Sequence, residues 1–184
     1  MSRVVAILSS PRRDGNSNAI ARAVMDGAMG LSTNVIGLYR LGTFRNIRGC
    51  TACEECRETG VCHLDDDIAP LLSDIKESSA VIVATPLYFS GPSAQYKALE
   101  DRMRSFYGPD GKPNIPPGKK AVILVTCMDD TDGAGQLASN LARFYSNLGF
   151  EILGKIVYAS GGRETVDAET LAEAKRLGSL LRNN

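Results

Sequence analysis

Cys50, Cys53, Cys56 and Cys62 fall within thirteen residues, spaced C-x2-C-x2-C-x5-C. Their neighbours Glu54, Glu55, Arg57, Glu58 and Thr59 are polar, whereas a free cysteine used as core filler prefers apolar surroundings. Four thiolates on one short segment are what a soft-metal or iron–sulfur site requires. The two tight gaps let successive sulfurs turn toward one centre, and Gly60 lets the chain bend back to deliver the fourth. A structural zinc site could use the same donors, although two consecutive C-x2-C gaps are less like the separated knuckles of common zinc modules. Redox-active disulfides and a relic motif without metal are the other readings. His63 follows Cys62 and reads as a stand-in ligand, a proton donor or an ordinary exposed loop residue. Arg45, Arg48 and Arg57 flank the cysteines, either offsetting thiolate charge or lying on the surface.

Two further stretches carry chemistry. Ser9-Ser10-Pro11-Arg12-Arg13-Asp14-Gly15-Asn16-Ser17 joins a buried apolar run to a helical pattern. Its hydroxyls, Arg12 and free backbone amides suit a phosphate at a helix N-terminus; the plainer reading is that Asn16 or Ser17 caps the helix. It matches neither the G-x-x-x-x-G-K-[ST] nor the G-x-G-x-x-G pattern, which argues against a nucleoside-triphosphatase or a dinucleotide site. Thr85-Pro86-Leu87-Tyr88-Phe89-Ser90-Gly91-Pro92-Ser93 places two aromatics in a glycine-containing loop. A flat aromatic ligand could lie against it, or the aromatics could plug the sheet end or a subunit contact. Cys127 reads as a small buried residue rather than a reactive thiol.

The elements that must position these loops alternate along the chain. Strands are expected at Arg3–Leu8, Thr33–Tyr39, Ala80–Thr85, Ala121–Thr126 and Glu151–Tyr158. Helices are expected from Asn18 to about Met29, from Asp65-Asp66-Asp67 through Ile75, from Ser93 to Phe106, over Gly135–Leu148 and over Asp167–Leu181, with the three aspartates as caps and favourable first-turn charges. Residues 41–64 form an irregular cysteine-rich insert, and 108–118, rich in Pro and Gly, an exposed excursion. Strands separated by helices imply an α/β fold, a parallel sheet covered on both faces, with ligands at the strands' carboxyl ends. The loops after strands one, three and four are therefore the functional ones.

Bulk properties narrow the class. The 184 residues fit one domain, 1–184, with a sizeable core. The 21 basic and 21 acidic residues balance, arguing against nucleic acid or an anionic membrane as partner. Residues 1–50 nonetheless carry seven arginines against Asp14 and Asp26, compatible with a small anionic ligand there. The first apolar run, Val4 to Leu8, is too short for a signal peptide, and no run approaches the roughly 18 apolar residues of a membrane span. A cytoplasmic location is expected, where clustered cysteines bind metal or act in redox rather than form structural disulfides.

Taken together and in order, the motifs resemble a known family. Ser9-Ser10-Pro11-Arg12…Gly15-Asn16-Ser17 resembles the G-S-P-R-x-x-G-N-[ST] phosphate loop of the NAD(P)H-dependent FMN reductase branch of the flavodoxin-like fold. Pro86-Leu87-Tyr88-Phe89 resembles its flavin loop, and Ser93…Lys97…Asp101-Arg102 its following helix. The cysteine spacing followed by Asp65-Asp66-Asp67 is similar to the iron–sulfur flavoproteins of that branch. Ser9 departs from the usual glycine, and Thr51-Ala52 stands where many relatives have glycine. The resemblance implies a flavodoxin-like doubly wound five-stranded parallel sheet of order 2-1-3-4-5 holding FMN. Ser10, Arg12, Asn16 and Ser17 would meet its phosphate, and Pro86, Leu87, Tyr88, Phe89, Ser90 and Gly91 its ring system. Cys50, Cys53, Cys56 and Cys62 would hold a [4Fe-4S] cluster. It also implies a homodimer or homotetramer taking electrons from a ferredoxin-like donor and passing them to an unknown acceptor. The alternative is an NAD(P)H-dependent FMN or quinone reductase without a functional cluster.

Overall fold

The computed structural model describes residues 3–30 and 34–182. Strands β1 (Arg3–Leu8), β2 (Val35–Arg40), β3 (Ala80–Pro86), β4 (Lys120–Cys127) and β5 (Glu151–Ala159) form one sheet of order β2-β1-β3-β4-β5. Every pairing is parallel, as the alternation of strands and helices implies. The helices are α1 (Asn16–Met29), α2 (Cys56–Thr59), α3 (Ile68–Glu77), α4 (Ala94–Arg102), α5 (Thr131–Asn147) and α6 (Ala168–Ser179). Thr33, expected to open β2, lies outside the described residues.

The strands read as unbroken apolar runs because both faces of the sheet are covered. Val5, Ile7, Val81, Val83, Ile123 and Val125 point to one side, where α3, α4 and α5 supply Leu71, Ile75, Leu99, Leu137 and Leu141. Val4, Ala6, Leu8, Ile82, Val122 and Leu124 point to the other, against Ile20 and Val24 of α1 and Leu177 of α6. Each fully buried Val, Ile or Leu contributes roughly 1.5–3 kcal/mol of transfer free energy, so the central strands β1, β3 and β4 anchor the molecule. On the second face α1 and α6 cross closely at two glycines. A Cβ on Gly27 would lie 2.1 Å from the Lys175 carbonyl oxygen, and one on Gly178 would lie 2.0 Å from that of Val24. Both positions need a residue without a side chain for the backbones to approach.

Several boundaries differ from the sequence expectation for local reasons. α1 begins at Asn16 with Gly15 as its N-cap, and no side chain caps it. α5 begins at Thr131, not Gly135, because the Asp130 carboxylate accepts from the Gly133 amide and starts the helix early. α4 stops at Arg102, and a 3-10 turn, Met103–Phe106, completes the expected span. The cysteine-rich insert is irregular as expected, apart from a 3-10 turn at Leu41–Thr43 and the single turn of α2, closed by Gly60 at φ +70°. Among the described residues no helix is long and apolar enough to cross a membrane.

Candidate functional site

Two sites lie where the loops leave the sheet. The first is an open cleft of about 190 Å³ at the carboxyl ends of β1, β3, β4 and β5. Ser10, Arg12, Asn16, Ser17, Pro86, Leu87 and Tyr88 line it, as do Gly15, Thr126, Cys127, Met128 and Ser160. The β1 loop is folded by its own side chains. Ser10 Oγ accepts from the Arg12 amide at 3.2 Å, and Asn18 Nδ2 donates to the Arg12 and Arg13 carbonyls at 2.9 and 3.1 Å. Asn18 gives no sign of this role in the sequence. Asn16 and Ser17, the caps the sequence offers, lie inside α1 and neither caps it. The Asn18 amide is taken up by the Gly15 carbonyl at 3.0 Å, which leaves the Asn16 and Ser17 amides open to an anion, with Arg12 beside them. Ser9 is turned away. Its hydroxyl is buried and donates to the Ala84 carbonyl at 3.1 Å, tying the loop to β3.

The β3 loop divides in two. Pro86, Leu87 and Tyr88 face the cleft, and the Leu87 amide donates to the Thr126 carbonyl at 2.7 Å. Tyr88 and Gly91 exchange backbone hydrogen bonds of 2.8 and 3.0 Å around Phe89 and Ser90. Both central residues have positive φ, +47° and +65°, as a type I′ turn requires. Phe89, Ser90 and Gly91 thus do not line the cleft; Phe89 is fully exposed at the tip. The loop after β5 was not singled out from sequence, yet Ser160, Gly162, Arg163 and Thr165 extend the cleft into an adjoining groove with Arg12 and Asn16. Topology is the signal that finds it, because β5 ends at the same edge as β1, β3 and β4.

The second site gathers the four cysteines. Cys50, Cys53, Cys56 and Cys62 line one cavity with His63, Arg102 and Arg104. Cys50 and Cys53 are exposed, Cys62 is half-buried and Cys56 is buried. Burial pushes the Cys56 thiol up, and the charges of Cys62, Cys53 and Cys50 add to the rise. Among the described residues no three of these sulfurs lie within 4.8 Å of one another, wider than one tetrahedral ion needs, so the donor set fits the larger core of an iron–sulfur group better than a single metal ion. His63 is exposed, and its Nδ1 lies 3.2 Å from Cys53 Sγ.

The loop is held by the acidic run that follows it. The Asp67 carboxylate accepts from the Arg45 and Asn46 amides at 2.6 and 3.0 Å. Asp66 accepts from the Arg48 amide at 2.9 Å, the Ile68 amide at 3.1 Å and Arg102 at 2.6 Å. The expected helix-capping role is thus narrower than the sequence suggested: Asp66 alone bonds a first-turn amide of α3, while Asp67 is turned to the insert. Burial pushes the Asp66 carboxyl up, but the Arg102 and backbone hydrogen bonds outweigh it and hold it low. The cations at the cavity are also not those flanking the cysteines in sequence. Arg57 pairs with Glu54 and Arg48 donates to the Asp65 carbonyl, whereas Arg102 and Arg104 line the site.

The strand order, the open anion-ready loop after β1 and the cleft at the carboxyl edge define a flavodoxin-like protein. The chain belongs to the NADPH-dependent FMN reductase family, matching it over residues 2–164. It is 35% identical over 104 residues to an iron-sulfur flavoprotein of Methanocaldococcus jannaschii, covering 55% of this chain and 52% of that protein. It is 28% identical over 160 residues to an iron-sulfur flavoprotein of Archaeoglobus fulgidus, covering 86% and 76%. The chain thus spans about half the length of the first of these relatives. Among solved structures, the NAD(P)H:quinone oxidoreductase of Methanothermobacter marburgensis superposes with a TM-score of 0.68 at 22% identity, over 100% of this chain and 98% of that one. An azoreductase of Bacillus anthracis gives 0.74 at 14% identity, over 98% and 100%. At such identities the likeness concerns the fold.

Proposed function

We propose that this protein is an FMN-binding electron-transfer protein with a [4Fe-4S] cluster on Cys50, Cys53, Cys56 and Cys62. Flavin supplies one- and two-electron chemistry and an iron–sulfur cluster one-electron chemistry, so together they join donors and acceptors of different electron count. The observation that carries the reading is the convergence of four thiols on one cavity in a flavin-reductase fold.

The chain's own residues have separable tasks. The open Asn16 and Ser17 amides of α1, with the side chains of Ser10, Arg12, Asn16 and Ser17, bind the FMN phosphate. Pro86, Leu87 and Tyr88 orient the ring at the β3 edge, while Phe89, Ser90 and Gly91 support them through the turn. The donor is ferredoxin-like and the acceptor a small molecule or protein. The protein is a homodimer or homotetramer, the exposed Phe89 being a suitable contact.

The test is anaerobic purification with iron, sulfide and flavin assays. About four iron and four sulfide per chain with one FMN supports the reading. Flavin without iron or sulfide after reconstitution overturns it. The family match favours one second reading, an NAD(P)H-dependent FMN or quinone reductase with idle cysteines. Rapid, saturable NADPH oxidation would mark that activity, and reduction solely by a protein donor would mark the first.

A further inference from the structure

The Arg102 side chain is completely buried at the end of α4. A guanidinium is rarely tolerated there unless its donors are met. Its Nε–H donates to Cys62 Sγ at 3.3 Å. One terminal nitrogen donates to Asp66 at 2.6 Å and more loosely to the Arg48 carbonyl at 3.4 Å; the other donates to the Leu64 carbonyl at 2.9 Å. One side chain thus grips the entry of the cysteine insert, its exit and the sulfur of its fourth cysteine. Asp66 balances the charge of the guanidinium, leaving Nε–H as a directed donor to sulfur.

We propose that Arg102 is the positioning residue of the cysteine site, fixing Cys62 as the fourth ligand and raising the reduction potential of the group held there. The inference rests on the cluster reading above and adds a residue outside the cysteine motif to it. Two physical effects support it. A hydrogen bond to a ligand sulfur draws electron density from it, which favours the reduced form. Groups around first ligands also hold them in place, and their loss typically costs 10–100-fold in metal affinity. Arg104 at the same cavity is exposed and paired with Glu54 at 2.9 Å, so solvent and its partner screen it.

The test uses full-length protein reconstituted anaerobically with iron, sulfide and FMN, as wild type, R102K and R102Q. R102Q removes both charge and fork. R102K keeps the charge and loses the Nε contact, and serves as the second variant if R102Q fails to fold. The readouts are the cluster and flavin midpoint potentials in one sample and the rate of iron loss to a chelator. The expected result for R102Q is an approximately tenfold weaker one-electron reduction of the cluster, a downward shift of about 59 mV, an unmoved flavin potential, and iron loss faster by about tenfold or more. R102K should fall between. Variants that match wild type in cluster potential and iron retention overturn the role of Arg102 while leaving the cluster in place. Wild type that takes up no iron or sulfide overturns the cluster reading itself.

Discussion

Ser93 Oγ donates to the Ser9 carbonyl at 3.0 Å, in a fully buried contact between the N-cap of α4 and the end of β1. The same oxygen caps α4 by accepting from the Tyr96 amide, and the Ser93 amide donates to Thr85 Oγ1 at 3.2 Å. One end of α4 is thereby fixed to the cleft-forming loops, while its other end is Arg102 at the cysteine cavity. Nine residues at 1.5 Å per residue separate the two, or about 14 Å. Ser93→Ala should lose both the cap and the buried bond, about 1–3 kcal/mol. Urea denaturation will show this as a lower midpoint at unchanged slope.

The crossing of α1 and α6 gives a steeper expectation. Gly27→Ala or Gly178→Ala places a methyl about 2 Å from an opposing carbonyl oxygen, and neither backbone can yield cheaply. Each should destabilise by about 1–3 kcal/mol or more, as overpacking does. Thermal unfolding is the check, and a change under about 0.5 kcal/mol, ordinary for a surface site, would contradict the packing described.

Within the cysteine insert, Ala52 has φ +54°, a conformation that costs a residue with a side chain roughly 1–2 kcal/mol. Ala52→Gly removes that cost and adds chain entropy of about 0.5–1 kcal/mol to the unfolded state. The net should be neutral to about 1 kcal/mol stabilising. Ala52→Val, β-branched and poorly suited to this region, should destabilise. Paired denaturation curves should place Ala52→Gly at or above wild type and Ala52→Val below it.

Arg12 borders both the cleft and its adjoining groove. If FMN phosphate sits at the start of α1, Arg12→Ala should weaken FMN binding about tenfold, equivalent to about 1.4 kcal/mol. The loss should shrink with added salt. Quenching of flavin fluorescence measures both.

Acid stability should depend on Asp66. Its carboxyl is held below its ordinary value by Arg102 and backbone amides despite burial. Between the folded and unfolded pKa values the unfolded chain binds more protons, so stability rises with pH across that window. The contribution is present above the unfolded value of about 4 and is lost as pH falls through the folded one. Unfolding curves below pH 5 should steepen this loss in wild type relative to R102Q, which has already surrendered the Arg102 hydrogen bond.

Much of the architecture was readable because the sheet is buried on both faces. Val4–Leu8 and Ala80–Ala84 are unbroken apolar runs rich in Val and Ile and too short for a helix, so they read as buried strands whose limits fell within a residue or two. Cleft residues on the β1 and β3 loops were legible because loop position follows from parallel topology. Others were hidden for particular reasons. Asn18 lies inside a helix, where a polar residue ordinarily signals a solvated face, yet it is buried and folds the loop before it. Phe89 looked like a ring-stacking residue, but two consecutive positive φ angles turn it outward. Arg102 is 40 positions from Cys62, and its burial depends on α4 packing beside the insert. Proximity in sequence suggested Arg45, Arg48 and Arg57 as charge partners, and tertiary structure supplied a different one.

That separation also sets an order of events during synthesis. The fourth thiol leaves the ribosome 40 residues before the arginine that grips it. At roughly 5–20 residues per second the interval is about 2–8 s, and α4 must then pack before the contact exists. For that time the nascent chain presents its four thiols without the Arg102 contact. The braced geometry of Cys62 becomes available only once Arg102 has emerged and α4 has packed beside the insert.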